Sequence, residues 1–469
     1  MFLRLTQRHI VFAALGILFI CLFALTSVRS RSTGRSLSQR DPNIVLITVD
    51  ALRTDHLSGY GYFRKTSPVI DDLAGKGVFF TQGISQSSHA PASLGVIATS
   101  TYPPVNGLRA WGDTLHPDVQ TLAEILKARG YRTFFVGGNG NIPTGLHGFP
   151  RGFDVFYDDG VMAPALTQKA LSLIEKKDPA PFFLWIHYMD VHNYVPSPQF
   201  ESLFINDMFY SRQVRFPIVK DGPGFYGKDG IPESRAQKNE GNDNPDYYIA
   251  LYDGAIRTVD QEIGRLLKTV KRADPKRGLL SVLSSPNGEL FGEHGYYFHH
   301  GFFLYDPLIK VPLIFHGDEV IPAKRVDRQV SAGLDIFPTL LGLLKIKGPG
   351  TVQGEDLSPL FFGDDAKRSP AIISDEGYSQ ISVRTDDWKL IRSAENPDAP
   401  GEYKLFDLKK DPEKAINIAA SEKQVVTTLE KTLEGYRHKF WDAEPVPLPP
   451  SGESPGKEPP SPSDLHSVL

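Results

Sequence analysis

Asn43-Ile-Val-Leu-Ile-Thr-Val-Asp50 is an unbroken run of apolar and β-branched residues closed by an acidic one. A run that does not alternate is the pattern of a strand buried on both faces of a parallel sheet. Similar runs recur at 133–136, 181–187, 279–283 and 311–315. Between them, 121–128, 165–175 and 247–270 place apolar residues at spacings of three and four, the helical period. Strands alternating with helices predict an α/β fold, a mostly parallel central sheet with helices on both faces. Ligands of such sheets gather at the carboxyl ends of the strands, where Asp50, His187 and the segment after Ser285 fall. From Glu376 to Leu408 the runs shorten, and a helical pattern follows near 425–438. That change predicts a small C-terminal antiparallel subdomain.

The organisation outside this body is read from composition. Residues 1–9 are a short flank, and 10–28 read IVFAALGILFICLFALTSV, uncharged and long enough at ~1.5 Å per residue to cross a bilayer. No small-residue cleavage site follows, so this is expected to be a retained single-pass anchor, with 29–41 as linker. Arg29, Arg31, Arg35 and Arg40 after the span favour a cytoplasmic body by charge alone. The main domain is expected over 42–375, interrupted at 196–246 by a Gly-, Pro- and Asn-rich surface excursion, and the C-terminal subdomain over 376–440. Residues 441–469 are Pro-, Ser- and Glu-rich and read as a disordered tail.

Lys+Arg 51 against Asp+Glu 55 leaves no basic footprint, which excludes a nucleic-acid binder driven by phosphate contacts. The single cysteine is Cys21, inside the apolar span. The body therefore has no disulfide, no thiol-held metal and no catalytic thiol.

Residues 43–80, NIVLITVDALRTDHLSGYGYFRKTSPVIDDLAGKGVFF, resemble the opening of the sulfatase branch of the alkaline phosphatase superfamily. The similarity continues in order through TLAEILKARGYRTFFVGGN, FFLWIHYMDVHNYVP, LYDGAIRTVDQEIGRLL, GEHGYYFHHGFFLYDPLIKVPLIF, LDIFPTLLGLL and KLFDLKKDPEKAIN, covering roughly 41–440. The resemblance implies hydrolysis of sulfate or phosphate esters by a nucleophile held on a divalent metal. A cation offsets the repulsion between an anionic ester and its attacker. The family nucleophile is a formylglycine made from Cys or Ser, or a Thr or Ser, at a helix start whose free N–H groups favour an anion.

This chain departs from that pattern at the site. An ungapped match between Phe80 and Pro103 keeps Ser93 but puts Ala92 at the motif proline and Ala90 at the nucleophile; sliding by one residue puts His89 there instead. Neither becomes formylglycine, so none is expected. Asp50 remains as first metal ligand, beside Ala51 where relatives often carry a second Asp. The later S-D-N-G motif reads Ser285-Pro286-Asn287-Gly288, so the ligating Asp is replaced by Pro286 while Asn287 keeps a carbonyl oxygen. Asp50 and Asn287 are thus the weakened candidates for calcium or a similar divalent metal.

His192, His300 and Arg53 stand where relatives contact the sulfate or phosphate, and are the substrate-binding candidates; Asp55 and His56 accompany Arg53. Ser87 and Ser88 are expected to cap the helix start. These readings predict a membrane-anchored pseudoenzyme that binds an anionic glycan, a lipid headgroup or a partner protein. Two alternatives stay open: an active metal-dependent ester hydrolase with a non-standard nucleophile, and a structural partner subunit. Anchored relatives usually carry their body outside the cytoplasm, and the same is expected here against the charge bias. Oligomeric state is not legible.

Overall fold

A computed structural model describes residues 41–441, apart from 176–177, 209, 211–212, 223–226, 319, 365–370, 377–378, 394–401 and 412–415. The expected membrane span at 10–28 and the expected tail, beyond Trp441, lie outside the described residues. Among the described residues no helix is long and apolar enough to cross a membrane.

The opening run forms β1 (Asn43–Val49), buried at every position. Its side chains alternate between two cores: Ile44 and Leu46 join one, while Val45, Ile47 and Val49 join the other. That explains why the sequence shows no polar alternation. The other strands of this sheet are β2 (Val78–Ile84), β3 (Arg132–Gly137), β4 (Val155–Asp158), β5 (Phe182–Tyr188), β6 (Leu279–Ser284), β7 (Lys310–Gly317) and β8 (Lys324–Ser331). The eight-stranded order is β8-β2-β7-β6-β1-β5-β3-β4. β1 pairs in parallel with β5 and β6, in registers that include Thr48 with His187 and Thr48 with Ser284. Only β7 runs against its neighbours β6 and β2. β1, β2, β5 and β6 therefore deliver their carboxyl ends to one edge.

The helices are α1 (Pro68–Lys76), α2 (Ala90–Thr99), α3 (Leu122–Ala128), α4 (Ala163–Ile174), α5 (Pro245–Ala273), α6 (Ile336–Leu344) and α7 (Lys423–Phe440). α3 opens on a capping box in which Thr121 and Glu124 satisfy each other's backbone N–H groups. α2 is buried at all ten positions, so its start is fixed by packing from every side.

The C-terminal antiparallel sheet comprises β9 (Ile372–Asp375), β10 (Gln380–Arg384), β11 (Trp388–Ser393) and β12 (Tyr403–Asp407), paired in sequence order and covered by α7. It begins at Ile372 rather than at 376. The 196–246 excursion is less peripheral than its composition suggests. Phe204, Ile231 and Ala236 are buried, and a helical turn at Glu233–Gln237 packs against the body.

Candidate functional site

Asp50 leaves β1 into a turn that the protein holds firmly. Ser285 Oγ donates to Val49 O (2.6 Å) and accepts from Leu52 N (3.2 Å). Tyr252 OH donates to Ala51 O (2.6 Å) and accepts from Arg53 N (2.9 Å). Between these clamps Ala51 takes φ 59°, the left-handed region that costs a residue with a Cβ roughly 1–2 kcal/mol.

The Asp50 carboxylate is buried and faces imidazoles. His187, the β5 residue registered beside Thr48, puts Nε2 3.5 Å from Asp50 Oδ2. Trp185 Nε1 donates to Thr48 Oγ1 (2.9 Å), which also lies 2.9 Å from His187 Nδ1, so the hydroxyl fixes the ring that faces Asp50. Burial alone raises the Asp50 pKa; His187, with His192 and His300, outweighs it and holds the carboxyl well below the usual range.

The fold brings His192 and His300 together, their rings 5.0 Å apart and edge to face. His192 sits in the single helical turn Asp190–Asn193 after β5, and burial lowers its pKa. His300 Nδ1 lies 3.5 Å from Glu289 Oε1. Burial works against the charged imidazole, but Glu289 prevails and raises the His300 pKa, while His300 keeps the buried Glu289 ionised. Of the two rings, His300 is thus the one whose charged form its surroundings favour, with a carboxylate behind it.

Arg53 is placed differently from its reading as a substrate contact. Its guanidinium donates to both oxygens of Asp55 (2.9 and 2.6 Å) and to Glu289 O (3.0 Å), and pairs with Glu293 (2.8 Å). With those partners the side chain braces the loops and is spent. His56 likewise pairs internally, Nδ1 to Asp253 Oδ1 at 2.7 Å.

Ala90 is the first residue of α2 and His89 its N-cap. The His89 ring points to Arg109 O (3.2 Å), and burial lowers its pKa. Ser93 ties the helix start to the loops: its Oγ donates to Ser87 O (3.0 Å) and lies 3.2 Å from Ser85 Oγ, which donates to Pro286 O (2.5 Å). The donors that precede α2 are already occupied. Glu376, the residue after β9, accepts from Ser87 Oγ (2.7 Å), Ser88 N and His89 N (3.1 Å). Ser88 Oγ in turn accepts from Gly301 N (3.2 Å), beside His300. An internal carboxylate therefore sits where the helix start favours an anion.

Asp50 Oδ1 and Asn287 Oδ1 are buried acceptors with no hydrogen-bond partner. Two such oxygens, one of them a neutral amide, fall short of the about six to eight that calcium takes. Among the described residues no three His, Cys, Asp or Glu side chains converge as a metal-holding group. The donor set does not fit a resident hard cation; what surrounds the Asp50 carboxylate instead is the imidazole cluster of His187, His192 and His300.

Sequence reasoning placed His187 at the ligand edge of the sheet but gave it no role in the site, and it singled out neither Glu289 nor Glu376. Only His187 carried a signal, its place at the end of a buried strand. The others lie on turns without a periodic pattern, and long-range folding alone brings them in.

The comparisons with known proteins agree with this architecture. A family profile described as Sulfatase matches residues 42–346, and one described as N-sulphoglucosamine sulphohydrolase, C-terminal, matches 292–439. The chain is 23% identical to an N-acetylglucosamine-6-O-sulfatase of Bacteroides thetaiotaomicron, over 88% of this chain and 90% of the relative. It is 24% identical to a Delta 4,5-hexuronate-2-O-sulfatase of the same organism, over 89% and 96%. A structure solved with its substrate D-glucosamine-2-N,6-O-disulfate superposes with TM-score 0.71 at 21% identity, covering 87% of this chain and 99% of that one. The phosphonate monoester hydrolase of Agrobacterium radiobacter superposes with TM-score 0.67 at 19% identity, covering 85% and 96%. With a profile spanning most of its body and the fold to match, this chain belongs to the sulfatase family.

Proposed function

We propose that this protein is a sulfatase-fold binder that holds a sulfated saccharide at His192 and His300 without hydrolysing it. One observation carries the reading: Ala90, which has no nucleophilic atom, opens α2, and the donors before it are spent on Glu376. The relatives named for sulfated sugars make a saccharide the favoured ligand class. His300, whose charged form Glu289 favours, supplies the counter-charge a sulfate needs. The sequence 10–28 anchors the body to a membrane, with the body outside the cytoplasm, and protease accessibility in intact cells tests that placement.

Calorimetric titration of the full-length protein with N-acetylglucosamine-6-O-sulfate tests the binding. Saturable binding is expected, weakened about tenfold or more in His300→Ala, since a charge-assisted hydrogen bond is worth roughly 1.5–3 kcal/mol. Absence of binding, or binding indifferent to His300→Ala, overturns the reading.

A further inference from the structure

The 196–246 excursion brings Arg235 against the turn that carries His192. Arg235 lies in the Glu233–Gln237 turn, seated by buried Ile231 and Ala236. Its guanidinium stacks over Tyr194, 4.0 Å from the ring centroid, and stands 5.6 Å from that of Phe298. Tyr194 is two residues beyond His192 and packs edge-on against Tyr252, so the stacking surface is fixed to the same turn that carries the histidine. The charge of Arg235 bears on Glu289, whose ion-pair partner is His300. Arg235 and His300 thus act on the same buried carboxylate.

The side chain of Arg235 is half-buried, yet it makes no hydrogen bond or ion pair with any described residue. The contrast with its neighbours is sharp. Arg53 is spent on Asp55 and Glu293, and Arg64 on Asp207 and Asp253. A guanidinium held over a ring is already localised, which lowers the entropy lost when its N–H groups engage an oxyanion in a bidentate pair.

We propose that Arg235 is a specificity-determining residue that reads a second oxyanionic group, sulfate or carboxylate, on the saccharide whose first sulfate lies at His192 and His300. The inference rests on the saccharide-binding reading above. A singly charged sugar leaves Arg235 unused. A doubly charged one engages it without displacing any protein partner.

The test is calorimetric titration of full-length protein with three probes: N-acetylglucosamine-6-O-sulfate, D-glucosamine-2-N,6-O-disulfate and Δ4,5-hexuronate-2-O-sulfate. The wild type is expected to bind at least one doubly charged probe about tenfold more tightly than the singly charged one. Preference for the disulfate identifies the second group as sulfate, and preference for the hexuronate identifies a carboxylate. Arg235→Gln is expected to erase that preference by weakening the doubly charged probe about tenfold more than the singly charged one, and Arg235→Lys to restore only part of it. A preference that survives Arg235→Gln, an equal loss for all three probes, or no preference in the wild type overturns the proposal. Failure of the wild type to bind any probe instead overturns the saccharide reading and takes this inference with it. Urea denaturation of each variant separates a binding loss from misfolding.

Discussion

At the scale of single residues, Ala51 shows how the turn after Asp50 is built. Ser285 and Tyr252 force it to φ 59°, where glycine is at ease and alanine is strained. Ala51→Gly is therefore expected to stabilise the fold by about 0.5–1 kcal/mol in urea denaturation; a loss of stability would mean that the buried methyl contributes more than the strain costs. The same scale shows what motif reading captures. Asp50, His192 and His300 were legible because each ends a strand or stands in a fixed phrase. Arg53 stood in such a phrase too, but a motif does not say which carboxylates will fold against it. Asp55 and Glu293 claimed it.

Among the elements, the start of α2 is the decisive one, because Glu376 crosses from the C-terminal sheet to cap it. Burial pushes the Glu376 pKa up to about 7, overcoming the hydrogen bonds that favour its charge. A folded value above the ordinary 4.5 means that this group's stabilising contribution is full below that pH and is lost as pH rises through about 7. Relative to Glu376→Gln, the wild type is expected to lose up to about 3 kcal/mol between those limits, measured as unfolding free energy against pH; parallel profiles would refute the burial argument. Metal binding is also decided locally. Pro286→Asp restores a carboxylate beside Asn287, and with Ala51→Asp it is expected to give calcium affinity measurable by calorimetry where the wild type shows none; equal weak heats in both would place the defect elsewhere. Strand legibility follows burial. β1, β3, β5, β6 and β7 read as apolar runs because both their faces are covered. β8, KRVDRQVS, lies at the sheet edge with Arg325 and Asp327 exposed, and β4 at the other edge is four half-buried residues, so neither stands out from loop sequence.

Across the whole molecule, the C-terminal sheet is fastened to the body through a buried ion pair: Lys389 Nζ on β11 lies 2.6 Å from Asp306 Oδ1. Lys389→Met is expected to cost about 3–5 kcal/mol of unfolding free energy, since it leaves a buried carboxylate short of its cation; a change below about 1 kcal/mol would show that Arg384, 3.5 Å from the same carboxylate, suffices. This fastening matters for function because Glu376 directly follows β9, so the position of the small sheet sets what occupies the start of α2. The overall fold was legible from alternating strands and helices. The closed helix start was not, since it joins residues 87–89 to residue 376 across nearly the whole body. The central claim, binding without hydrolysis, is tested by incubating excess full-length protein with N-acetylglucosamine-6-O-sulfate and calcium and measuring free sulfate by ion chromatography. The account predicts no sulfate above the protein-free control. Sulfate release that Asp50→Ala abolishes would contradict it.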